Sequence, residues 1–197
     1  ERSYWKWIFI KTIRRLKKII IKNTMKKLTF LFTLLFFGVI SAQENYELTT
    51  LRIGPYKIFM KADEAEKISG KKLLQFDEWD KSNIVIFQGE IIDVKLQNTY
   101  ISEKENNVPA VYSLSTKSPK FKTKSGMGVG NTKDELIEAY KNYPNFSVNQ
   151  GWEDNGEKTS KTISYFNLSD LDATTELNFK LENNIVTQVS IFINEGC

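Results

Sequence analysis

The stretch Thr175–Ile193 most constrains what this chain can fold into. Leu177, Phe179 and Leu181 alternate with polar residues, and so do Val189, Ile191 and Ile193 with theirs. Alternation with period two puts one set of side chains on a single face of a strand. Glu182-Asn183-Asn184 lies between the two runs, and asparagine tolerates the left-handed backbone a tight hairpin needs. The chain is therefore expected to contain antiparallel sheet with one apolar face. That face has to be covered by another layer.

The same pattern recurs upstream. Strands are expected at Tyr46–Ile53, Tyr56–Met60, Asn83–Phe87, Glu90–Gln97, Val108–Ser115 and Thr162–Phe166. Ile92, Val94 and Leu96 share a face in the fourth element. Pro109 lacks an N–H and assigns the start of its strand to a sheet edge. Two helices are expected. Ala62–Ile68 has helical propensity, with Gly70 as its stop. The second opens at Thr132 and Glu135, the S/T-x-x-E capping box, and runs to Pro144.

The fold class predicted is α+β, with short helices packed on antiparallel sheet. The halves also rhyme. Residues 58–65 align with residues 129–136 at an offset of 71. Two tandem β-α-β-β-type units are therefore expected, over residues 43–120 and 121–197.

Residues 1–42 read differently. Met25, Lys26 and Lys27 make a basic start, Leu28–Ile40 is an apolar run, and Ser41-Ala42 is a small-residue exit. This is the pattern of a secretory signal peptide, with cleavage expected between Ala42 and Gln43. At about 1.5 Å per residue the apolar run spans roughly 20 Å, short of a hydrocarbon core of about 30 Å. Residues 25–42 are thus read as a leader and residues 1–24 as an upstream or non-native extension. The expected location is periplasmic or extracellular, with no permanent membrane span after processing.

The leader changes the charge argument. The whole chain carries +4; residues 1–24 carry +7 and Lys26 and Lys27 add +2, which leaves −5 for residues 43–197. No nucleic-acid partner is expected from such a balance. The chain has no histidine and a single cysteine, Cys197. This excludes Ser-His-Asp and Cys-His catalysis, and it excludes an intramolecular disulfide. Cys197 is read as an intermolecular link or as a disordered or truncated end.

The passage GMGVGNTKDELIEAY (Gly126–Tyr140) resembles an opening found in small secreted bacterial domains. These are the β-lactamase-inhibitor-protein-like fold and the SmpA/OmlA outer-membrane lipoprotein family. IGPYKIFMKADEAEKISGKKL (Ile53–Leu73) is similar to a second, diverged copy. The chain lacks the paired cysteines of the first group and the lipobox cysteine of the second. The resemblance implies a fold whose members bind other proteins through an exposed sheet.

Several motifs carry residues capable of chemistry. Glu153, Asp154 and Glu157 offer oxygen ligands without calcium-loop spacing. Asp170 and Asp172 are paired carboxylates suited to hydrolysis or to a loop. Gly126, Gly128 and Gly130 precede a helix and could cradle a phosphate. Asn145 and Asn167 open glycosylation sequons. None of these singles out a catalytic, metal or cofactor site, so no cofactor is expected. Trp152, in a polar stretch, is the candidate interaction residue. The function expected is a non-catalytic protein-interaction or envelope-associated module. The alternatives are a histidine-independent envelope hydrolase and a structural envelope component.

Overall fold

The computed structural model of the chain describes residues 46–75, 81–102, 104, 106–153 and 158–194. These lie in one compact unit, Asn45–Cys197. The leader, its cleavage site at Ala42 and Gln43, Trp79, Asp154, Glu157 and Cys197 fall outside the described residues.

The described elements run β1 (Arg52–Ile53), β2 (Tyr56–Lys57), α1 (Ala62–Ser69), β3 (Asn83–Phe87), β4 (Glu90–Thr99), β5 (Val108–Thr116), α2 (Lys133–Tyr140), β6 (Phe146–Trp152), β7 (Thr159–Asp170), β8 (Thr175–Glu182) and β9 (Ile185–Ile193). β1 and β2 form a small hairpin. The other seven strands form one antiparallel sheet in the order β3-β4-β5-β9-β8-β7-β6. The fold is dominated by this sheet, with two short helices.

The topology follows from local connections. Gln88 and Gly89, both at positive φ, make the tight turn from β3 to β4. Asn183 and Asn184, at φ 52° and 65°, make the turn from β8 to β9. Two left-handed residues in a row match the twist of the flanking strands. The meander β3-β4-β5 and the meander β6-β7-β8-β9 then meet where β5 pairs with β9, Ser113–Thr116 against Val189–Phe192.

One face of the sheet is dry. Val85, Ile92, Val94, Leu96, Leu114, Phe166, Leu168, Leu177, Phe179, Leu181, Val189 and Ile191 all belong to one buried cluster. α1 contributes Ala65 to it, and α2 contributes Leu136 and Tyr140. The Tyr140 ring packs on Phe166 and Phe179, with centroids 5.9 and 6.4 Å away. Its hydroxyl donates to Thr123 Oγ1 at 2.6 Å, and burial pushes its pKa up.

Both helices keep their sequence signals. Gly70 caps α1 in the left-handed conformation. At α2 the Thr132 hydroxyl accepts from Glu135 N–H, and the Glu135 carboxylate accepts from Thr132 N–H at 2.7 Å. Each helix has eight residues, and their starts are 71 residues apart. Each is tied to the last strand of its half by the same two bonds. Phe59 N–H donates to Val111 O, and Val111 N–H to Met60 O; Gly130 N–H donates to Val186 O, and Val186 N–H to Asn131 O.

One expectation is corrected. Tyr46–Ile53 is not a continuous strand: Glu47 and Leu48 make isolated bridges to Lys122 and Ile53, Thr49 Oγ1 takes the N–H groups of Leu51 and Arg52, and only Arg52 and Ile53 are in a strand. Phe146–Trp152 is a strand that was not among the expected ones; its alternation covers only Phe146–Asn149. β5 is internal to the sheet only from Ser113 to Thr116, where β9 joins β4 in flanking it, so its start is at an edge as expected. Its start, including Pro109, lies beyond the residues β9 pairs, so proline's missing donor is tolerated there.

Candidate functional site

The side of the sheet opposite the core carries the alternate residues of every strand. A single row crosses all seven strands in register: Ile84, Asp93, Ser115, Ser190, Asn178, Asn167 and Ser147. All but Ile84 are short and polar. They are wired sideways. Asp93 accepts from Ser82 and Ser115, Asn178 donates to Asn167, and Asn167 donates to Ser147. Asn149 also donates to Ser147, and Gln188 to Ser190. Polar side chains that satisfy one another along a pleat are held in fixed rotamers. The result is a pre-ordered face of hydroxyl and amide groups.

At one margin this face turns apolar. Ile84, Ile86 and Ile91 are 56, 71 and 55 % exposed, and Ile86 lies opposite Ile91 on the β3–β4 hairpin. On the opposite edge strand of the sheet is Trp152. It is the last residue of β6, the outermost strand, and not part of a loop. It is 60 % exposed and pairs in register with Thr159. The residue before it must be glycine. A Cβ on Gly151 would lie 2.6 Å from Ile163 Cγ2 and 3.1 Å from Tyr165 Cε2.

The two aspartates of the β7–β8 turn have different surroundings. Asp170, at the end of β7, accepts from the Thr50 hydroxyl at 2.9 Å and from Ala173 N–H at 3.0 Å. It fastens the β7–β8 turn to the N-terminal segment. Asp172 lies in that turn and lines a groove of about 880 Å³. The groove has Leu51, Ile58, Phe59, Met60, Tyr112 and Ile193 among its apolar walls, and Lys57, Glu64 and Tyr100 among its polar ones.

The glycine-rich loop is structural. A phosphate cradle needs free backbone N–H groups. Here Gly126 N–H donates to Thr123 O, Gly128 N–H to Asn131 Oδ1, Gly130 N–H to Val186 O and Thr132 N–H to Glu135. Lys122 closes the loop, donating to Val129 O and Asn131 Oδ1 at 2.8 Å each. Burial lowers the pKa of its ammonium, and the charge of Glu135 offsets part of that. Asn167, the second sequon residue, is 9 % exposed and bonded on both sides of its amide, so it is no glycan acceptor.

Among the described residues no three acidic, histidine or cysteine side chains stand close enough together to hold a metal ion. Nor is any described helix long and apolar enough to cross a membrane. No protein-family model, curated protein or solved structure matches the chain.

The polar row and the groove were the two features the sequence did not announce. Part of the row was accessible from alternation, since Glu176, Asn178 and Lys180 are the polar positions of β8. The groove had no such signal, because it draws on segments far apart in the chain.

Proposed function

We propose that this chain is an exported, non-catalytic interaction module that binds a protein of the cell envelope through the open face of its sheet. The observation that carries the reading is the polar row from Asp93 to Ser147. A sheet face destined for a permanent apolar layer is apolar, as the opposite face is. A face of satisfied hydroxyls and amides, with isoleucines at one margin and Trp152 on the opposite edge strand, suits a partner that comes and goes. Interfaces of that kind are about as polar as ordinary surface and are anchored by a few large side chains.

Export rests on the leader motif at residues 25–42, and the resemblance of Gly126–Tyr140 to secreted bacterial domains points the same way. We also read residues 43–120 and 121–197 as diverged copies of one unit. The matched helices and the matched pairs of bonds from Phe59–Met60 and Gly130–Asn131 support that reading.

The test is capture from envelope extract with three proteins: wild type, Asn178→Arg and Trp152→Ala. The reading expects one partner with the wild type, its loss with Asn178→Arg and weaker recovery with Trp152→Ala. Undiminished recovery with Asn178→Arg refutes the open face as the site. N-terminal sequencing of the exported protein should begin at Gln43; a start at Glu1 refutes the leader.

A further inference from the structure

The groove holds the only aromatic and the only β-branched residue at positive φ among the described residues. Phe59 sits at φ 67° and Thr174 at φ 52°, and both line it. A left-handed backbone is unusual for a bulky aromatic or β-branched residue. The turn before α2 shows that the strain is unnecessary for folding. There Gly130, at φ 92°, donates to Val186 O as Phe59 donates to Val111 O. Glycine fits this position without strain, yet the first turn keeps a phenylalanine that lines the groove. Strain held at a cavity wall marks a site.

The lining indicates what the site takes. Phe59, Tyr100 and Tyr112 supply aromatic surface, whose faces attract cations. Glu64 and Asp172 supply two carboxylates, and neither is engaged by another described residue. Lys57 is the opposing charge at the rim, so these groups leave one net negative charge. An anion would meet two carboxylates here, and a neutral apolar ligand would leave both unanswered. We propose that the groove binds an organic cation: an ammonium group carried on an aromatic or other apolar body.

The test uses two probes with the same body and opposite charge, 2-phenylethylammonium and 3-phenylpropionate, titrated into the 15N-labelled full chain. The ammonium should shift the amide resonances of Phe59, Tyr112 and Thr174, and bind roughly tenfold tighter than the carboxylate, about what two exposed ion pairs supply. Glu64→Gln combined with Asp172→Asn replaces exposed side chains and should bring the two affinities together. Phe59→Gly should keep the spectrum of the folded protein and weaken the ammonium probe. Equal binding of the two probes overturns the proposal. So does a preference for the carboxylate, or a preference that survives the double variant.

Discussion

Gly128 illustrates how one residue can be fixed by its neighbours' backbone. A Cβ there would lie 2.4 Å from Phe121 O and 2.9 Å from Lys122 Cδ. The carbonyl belongs to a fully buried residue and has nowhere to go. Gly128→Ala should therefore destabilise the fold by about 1–3 kcal/mol, the usual cost of overpacking. Gly126→Ala meets no atom within 4 Å and should cost only the left-handed penalty, about 1–2 kcal/mol. Urea unfolding of the two variants measures the difference, and equal midpoints would contradict it. Glu135 makes a second residue-scale prediction. Bonds from the Thr132 backbone, the Thr132 hydroxyl and the Asn131 amide hold its carboxyl below the usual range. Its contribution is thus present above the unfolded glutamate value of about 4.3 and is lost as pH falls through the lower folded value. The stability gap between wild type and Glu135→Gln should be open at about pH 6 and close by about pH 3. A gap unchanged across that range would contradict the assignment.

Among the elements, β3 is the edge strand with exposed isoleucines. It is an edge strand of the sequence Asn-Ile-Val-Ile-Phe, with no charge and no proline. Such edges template strand addition between chains. Among the described residues it is guarded by Lys71, whose ammonium bonds the Ile84 carbonyl, and by Leu74, which is bonded to Asn83. Ile86→Lys puts a charge on the exposed face and should change stability by no more than about 0.5 kcal/mol while slowing aggregation. Light scattering during mild heating checks this; aggregation as fast as wild type would contradict it. The legibility of the elements follows the physics that made them. β8 and β9 were readable because alternation and an Asn-Asn turn are local signals. α2 was readable because a capping box is local too. β6 was not, because its residues are mostly exposed and its strand state comes from pairing with β7. The same reason hid the polar row: Ser115, Ser190 and Asn178 are ordinary polar residues until register aligns them. Trp152 was visible as an exposed aromatic, and its place at the end of the outermost strand was not.

At the scale of the whole molecule, the sheet has two faces with different jobs. One is sealed by α1, α2 and the segments around Tyr56 and Phe121, and no disulfide is needed to hold it. The other presents a row of small polar groups across six of the seven strands. The proposed role of the second face is to seat a partner. The most direct measurement places a photo-cross-linking residue at Asn178, and in a second protein at Glu138 on the outer side of α2, and irradiates cells that export them. Position 178 should give a discrete adduct with an envelope protein and position 138 none. Adducts from position 138 alone would contradict it.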